Sequence, residues 1–441
     1  MKKSLKISVI TFGLLVGLFG TWHLSHTQSI SEPSGIKSGF QGRLLAASDA
    51  DMIATAYANG VLNKVSGIED SLALIQFKNG KPSKSSQLHI SNSVVSWPSV
   101  LAYHSLYNYA YVAETRGIHQ EATQSLKNVF TDLPKGTAIN LIDFTKPDNP
   151  QLLQQLAVGE NIQGVSINAD GNFLVAGSTE KGKEIILVQL EEGKLGSVSY
   201  FPLPTSEQRE MGVRTIEFHP TEDIIAANIG DKELVFFQIK TLSNSIQIDP
   251  IGQSIEVAKH WSVGNWHPNG GYFILTDVAW GDGPTGAILN GKGKLVSVKF
   301  DQGGNHQIVS QVKVGLSPEG FDISPNGQYA IVVNMRRTYG PKNFWFVPAR
   351  KGASLSLVKI DPSNGHLSVL GDEYGFEGAL PEDAVFDAAS NSIAVAVFHE
   401  QDEEMPEKGW IDLWELREEK LIKTEERIST TRGVHNLLLV K

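Results

Sequence analysis

One phrase recurs along this chain, and it leaves few folds open. In "FDISPNGQYAIVVN", residues 321–334, an alternating apolar run enters a Ser-Pro-Asn-Gly turn and a continuous apolar run leaves it. That is the pattern of a half-buried strand, a tight turn and a buried strand. The plan returns in "LLAASDADMIATAYAN" from Leu44, "VLAYHSLYNYAYVAE" from Val100 and "GVSINADGNFLVAGS" from Gly164. It returns again in "TIEFHPTEDIIAANI" from Thr215, "VGNWHPNGGYFILTD" from Val263 and "DAVFDAASNSIAVAVF" from Asp383. The turns open near Ser48, His104, Asn168, His219, His267, Ser324 and Asp387, at spacings of 48 to 64 residues.

Each copy is followed by further strand-like runs, such as "KEIILVQLEEGKLG" and "KELVFFQIKTL". Four short strands per repeat at this period make one propeller blade, which buries both faces only when stacked between neighbours. The expected fold is all-β: a seven-bladed β-propeller of four-stranded antiparallel blades. The C-terminal "GVHNLLLVK" reads as a first strand with nothing after it, so it is expected to pair within a terminal blade and close the ring.

The N-terminus has a different character. Lys2, Lys3 and Lys6 precede sixteen uncharged residues, 7–22. This is signal-peptide architecture, and the apolar run falls short of the ~20 residues of a spanning helix. "SHTQS" offers small residues without an A-x-A pattern, so an uncleaved anchor stays open beside a cleaved signal. The expected organisation is a signal or anchor over 1–29, a linker over 30–39 and the propeller over 40–441. The bulk of the chain is then extracytoplasmic, periplasmic or secreted, and meets the membrane only if the N-terminal segment is retained.

The absence of cysteine excludes disulfides, a thiolate nucleophile and thiolate-bound metals. The net charge of -10 becomes -13 without the first 29 residues, which argues against a nucleic-acid partner.

"YAYVAETRG" and "SPNGQYAIVVN" are similar to the repeat of the lactonase-like seven-bladed propellers, which include proteins resembling 6-phosphogluconolactonase, carboxymuconate lactonizing enzyme and YncE-like relatives. The resemblance spans the exported chain. It implies the propeller fold, and among its lactonase-type members a site of His, Glu and Arg in the central channel.

Strand entries and strand exits share one face of such a ring, and the short turns share the other. His219 and His267 are read as turn residues. On the varied face, long loops follow Asp277, Asn334 and Phe398, as expected of a binding face. The strand entries carry Arg214, His260, Glu319, Glu382 and His435. A carboxylate or imidazole there can activate water, and an arginine can hold an anion.

One expectation is therefore a lactone hydrolase with His260, Glu319 or Glu382 as base and Arg214 or Arg336 on the anion. Trp345 and His435 are candidate ligand contacts. The other is a non-catalytic module binding a small molecule, a carbohydrate or a protein through the long-loop face. No metal or cofactor is expected.

Three motifs are set lower. "GDGPTG" matches a nucleotide fingerprint but has no βαβ context. "HEQDEE" (399–404) is either a solvated acidic loop or a calcium site without EF-hand spacing. "KNFWFVPAR" (342–350) is either buried packing or an aromatic platform. Neither G-x-S-x-G nor H-E-x-x-H occurs.

Overall fold

A computed structural model describes residues 30–440 apart from 244, 282–285, 288–289, 341–351 and 402. The N-terminal apolar segment lies outside the described residues. No helix among those described is long and apolar enough to cross a membrane.

Seven four-stranded antiparallel sheets form the blades of a ring. Six are continuous in sequence: 101–157, 162–201, 216–256, 261–316, 318–376 and 384–431, called here the first to sixth blades. The seventh is split between the chain ends. Its innermost strand is Val434–Val440, followed outward by Arg43–Ser48, Ser71–Lys78 and Lys81–His89. The expected closure by the C-terminal strand is present, with Leu438 opposite Leu45 and Leu437 opposite Ala46.

One expectation needs correction. "LLAASDADMIATAYAN" is not a strand–turn–strand copy. Arg43–Ser48 is the second strand of the seventh blade, and after it the chain forms a loop with a short helix, Ala56–Asn59. The apolar residues of that loop, including Met52, Ala54 and Ala56, are buried over the ring rather than in a sheet. The true seventh hairpin is made across the termini, so its first half lies at the far end of the sequence.

Alternation explains the stacking. In the third blade Ile225, Ala227, Val235 and Phe237 face the second blade's Val175, Ile185 and Leu187. Their neighbours Ile224, Ala226, Leu234 and Phe236 face the fourth blade's Trp266, Phe273, Val296 and Val298. Successive side chains point to opposite faces, and both faces are covered. Each fully buried Val, Leu, Ile or Phe contributes roughly 1.5–3 kcal/mol.

The short-turn rim has its own polar fastening at every junction. His104 Nε2 donates to the Gly171 carbonyl of the next blade at 3.1 Å, His219 to Gly270 at 3.1 Å and His267 to Gly327 at 2.9 Å. Nδ1 of His219 accepts from Glu222 N, and Nδ1 of His267 from Asn269 N, which fixes both rings as the Nε2–H tautomer. Elsewhere Asn168 Nδ2 reaches Asp223 (2.8 Å), Asn326 N reaches Ser390 Oγ (3.2 Å), Gln41 N reaches Asp387 (3.2 Å) and Arg43 reaches Asn108 (3.2 Å). The two turn histidines read as structural are staples between blades.

The staple explains the glycine of each turn. Gly171, Gly270 and Gly327 have φ near +70°, and a Cβ on any of them would meet the incoming imidazole within 2.6 Å. Residues 30–41 lie along the ring edge, with Ser31 N on Gly375 O (2.7 Å), Ser34 N on Lys423 O (3.2 Å) and Gly39 N on Glu415 Oε1 (2.7 Å).

Gly270→Ala therefore carries two penalties, a left-handed backbone (about 1–2 kcal/mol) and a steric conflict with His219 (about 1–3 kcal/mol). Gly182 also has positive φ (+87°) but open space around it, so Gly182→Ala carries only the first. Urea titration should show a clearly larger loss for Gly270→Ala. Equal losses would mean that the staple contributes nothing.

Candidate functional site

The other mouth of the channel holds a cavity of about 800 Å³. Its polar lining is set by strand register. Arg214, Glu319 and Glu382 each stand five residues ahead of the residue that opens their turn (His219, Ser324 and Asp387), so three inner strands deliver them at one level. His260 enters two residues earlier in its repeat and joins them in the same lining. The four candidate catalytic residues thus converge.

Hydrogen bonds to the backbone from the neighbouring blades fix these positions. The Glu319 carbonyl accepts from Ser262 Oγ (2.9 Å) and Thr276 Oγ1 (2.6 Å), and the Arg214 carbonyl from Gly164 N (2.9 Å). Gly320 lies so close to the Glu382 carbonyl that a Cβ would stand 1.9 Å from it. The two glutamates are therefore presented from strands in direct backbone contact.

Asp231 organises the basic side. Its carboxylate lies 3.5 Å from Arg214 Nη1 and 3.6 Å from His260 Nδ1. Arg214 also lies over the Trp97 ring, 4.6 Å from its centroid. His260 stands edge-on to Trp97 and 5.4 Å from Trp280.

The aromatic wall is locked by one hydroxyl. Ser317 Oγ accepts from Trp280 Nε1 (3.0 Å) and Asn290 Nδ2 (2.7 Å) and donates to Tyr339 Oη (2.9 Å), which itself donates to Ala287 O (2.9 Å). All of that hydroxyl's bonding capacity is used. Opposite, Tyr57 donates to Val94 O (2.9 Å) and packs on Phe130.

The acidic side is dry. Glu319 and Glu382 are 3% and 1% exposed, and Glu382 Oε2 has no hydrogen-bond partner among the described residues. Burial raises the Glu319 carboxyl to about 8, with Arg214 opposing and Asp383 adding to the rise. Burial also lifts Glu382 well above the carboxylate range, reinforced by Glu319 and Asp49. Burial thus favours the protonated form of both, which suits a proton donor better than the base expected from the sequence.

The remaining candidates lie elsewhere. His435 is fully buried in the inner strand of the seventh blade, bonded through Nε2 to Asn92 Oδ1 (2.8 Å) and pushed by burial to about 3, so it is neutral and outside the cavity lining. Arg336 is 4% exposed, has Glu373 as its favourable electrostatic neighbour, and is also outside the lining. Trp345 lies outside the described residues. His399 of the acidic loop accepts from Ala54 N through Nε2 (2.9 Å) and donates from Nδ1 to Glu400 O (2.7 Å).

Sequence reasoning missed the loops that cover the site from the first and seventh blades. They bring Tyr57, Val94, Trp97 and Phe130. Three carboxylates, Asp49, Asp51 and Asp70, hold these loops and lie within 4.8 Å of one another. Asp49 accepts from Val94 N and Ser93 Oγ, Asp70 from Ala50 N and Asn92 N, and Asp51 pairs with Lys64 at 2.9 Å. The spacing of Asp49 and Asp51 after the first strand was a usable signal, hidden by reading that stretch as a hairpin.

No family model matches the chain, and no curated protein matches it. Many solved structures share the fold. The periplasmic gluconolactonase of Pseudomonas aeruginosa superposes with TM-score 0.61 at 13% identity, over 91% of this chain and 99% of that one. A candidate 6-phosphogluconolactonase of Bacteroides uniformis gives 0.60 at 15%, over 91% and 100%. One from Bacteroides fragilis gives 0.60 at 15%, over 93% and 100%. The likeness to lactonase-like propellers read from the repeat is thus met in full-length architecture. At these identities it establishes the fold alone.

A carboxyl whose folded pKa exceeds its unfolded value binds its proton more tightly when folded. Its contribution to stability is complete below pH ~4.5 and is lost as pH rises through about 8. Glu319→Gln removes this loss. Calorimetry from pH 6 to 9 should show a Tm that falls less steeply in the variant than in the native chain. Some slope should remain from Glu217 and Asp49, which burial raises to about 8 and about 7. Parallel curves would show that Glu319 titrates normally.

Proposed function

We propose that this chain is an exported hydrolase that opens a lactone ring in the cavity at the channel mouth. The observation that carries this reading is the meeting of Arg214, His260 and Glu319, whose carboxyl burial raises to about 8, in one aromatic-walled cavity. The lactonase names of the structural neighbours add support, as does the Lys-flanked apolar N-terminus.

The residues divide the work by charge state. Asp231 beside Nδ1 of His260 orients the imidazole with its proton on that nitrogen and leaves Nε2 basic. His260 takes a proton from water as the water oxygen bonds to the lactone carbonyl carbon. The carbonyl oxygen becomes an oxyanion facing Arg214. Collapse breaks the ring carbon–oxygen bond, and the leaving ring oxygen takes the proton of the Glu319 carboxyl. Solvent returns a proton to Glu319 and removes one from His260. The balance is one lactone and one water consumed and one hydroxy acid formed. Burial, with Asp383 adding to it, favours the protonated form of Glu319 and so keeps the acid loaded.

A panel of γ- and δ-lactones including glucono-δ-lactone, followed by acid release, tests this. His260→Ala and Glu319→Gln should each lower kcat/KM by about 10²–10⁴, with Tm not lowered. The native rate should fall as pH rises past about 8, where Glu319 loses its proton. Lactones that bind without turnover would make the chain a binding module, which the existing pairing of Arg214 with Asp231 also allows. For export, residues 1–29 fused to alkaline phosphatase should give active enzyme in bacterial cells; an inactive fusion would contradict it.

A further inference from the structure

Beside the reaction cavity lies a second hollow of about 550 Å³, which shares Arg214, Val95, Phe130 and Asp231 with it. Its distinctive residue is Arg116. This side chain is only 9% exposed, yet no carboxylate pairs with it among the described residues. Its Nη2 donates to a backbone carbonyl, that of Phe130, and its Nε is buried with no hydrogen-bond partner. The charged group that acts on it is a second cation: burial and Arg214 both depress its pKa.

A guanidinium stays charged at any ordinary pH, so it cannot escape burial by losing its proton. Such a charge is strongly unfavourable unless something anionic completes it. The main chain fixes the position from which Arg116 projects, and the Phe130 carbonyl holds its Nη2. Arg116 pairs with Lys135 in an isolated antiparallel bridge, and Gly136 N bonds to Thr115 O at 3.0 Å. Around the same hollow stand Gln163, exposed Lys232 and Asn161, whose Oδ1 is also buried without a partner. The acids there are Asp231, drawn towards Arg214 and His260, and Glu233 at the rim.

We propose that this hollow is an oxyanion subsite in which Arg116, flanked by Arg214 and Lys232, binds a carboxylate or phosphate of the ligand. The orphan Asn161 oxygen accepts from a neighbouring ligand hydroxyl. The ligand of the adjoining cavity is then an acid long enough to reach both compartments. This rests on reading that cavity as a ligand site, but not on its hydrolytic chemistry.

Calorimetric titration of the full chain with inorganic phosphate and, separately, malonate tests the subsite, against sodium chloride at equal ionic strength. One anion per chain should bind, and Tm should rise above the chloride control. Arg116→Gln should weaken binding at least tenfold. Arg116→Lys should fall between, since it keeps charge but loses the fork. Lys232→Glu, an exposed change that leaves the core untouched, should weaken binding several-fold at low salt even if Arg116 variants fold poorly. The stronger of phosphate and malonate identifies the anion class.

Responses equal to chloride, or native affinity in Arg116→Gln or Lys232→Glu, would overturn the subsite. Anion binding without lactone turnover would keep the subsite and discard the hydrolase. Turnover without anion binding would do the reverse.

Discussion

Every blade of this ring depends on the pairing of Val434–Val440 with Arg43–Ser48. A four-stranded sheet with both faces apolar is stable only between two neighbours, so an unclosed ring would leave two blades half-exposed. The clasp also reaches the functional mouth. Gly433 (φ +87°) turns so tightly against Asp49 that a Cβ would stand 1.6 Å from the Asp49 carbonyl oxygen. Arg432 binds the carbonyls of Ala50, Asn63 and Pro406. Asp49 in turn holds Val94. The loops that bring Tyr57 and Trp97 over the cavity thus hang from the joint that closes the ring, and loosening the clasp would disorganise the site before any other part of the wall.

The two rims solve different problems. On the short-turn rim each junction is bridged by a hydrogen bond, in three cases from a turn histidine to a glycine carbonyl of the next blade and elsewhere from an amide or guanidinium to a short side chain. On the other rim the equivalent inner-strand positions carry Gln163, Arg214, Ser262, Glu319 and Glu382. Charge and size change from blade to blade at constant backbone geometry. Variation confined to one level of a rigid scaffold is what a binding site requires, because each side chain is aimed by strands that cannot shift independently.

Much of this was legible in the sequence for one reason: the strand–turn–strand phrase is local. Period-2 alternation and turn chemistry lie within fifteen residues, so six hairpins and the level of Arg214, Glu319 and Glu382 could be read directly. What failed was non-local. The seventh hairpin joins residues nearly 400 positions apart, so "LLAAS" was completed with the wrong half. Tyr57 and Trp97 reach the cavity through loops whose paths are set by buried carboxylates rather than by periodicity. His435 shows the limit of position alone. It occupies a strand entry like the others, but Asn92 and surrounding apolar groups enclose it, and no pattern within its own repeat reveals that.

The chemistry of the mouth follows from how acids and guanidinium groups respond differently to burial. Glu319 and Glu382 escape the penalty by keeping their protons, so near neutral pH the acidic side of the cavity carries little charge. Arg116 and Arg214 have no such route. The arginines therefore keep their charge at the mouth of a chain whose net charge is -10, with Asp231 beside Arg214. Screening confines the repulsion of the distant acidic surface to roughly 8–10 Å, so an anion at the mouth responds to the arginines rather than to the whole molecule. Because Glu319 is neutral only while protonated, raising the pH past about 8 places negative charge in the cavity. Alkaline pH should then weaken both the hold on an acidic ligand and the delivery of a proton to it. On the proposed reading, one buried carboxyl couples binding to chemistry in this mouth.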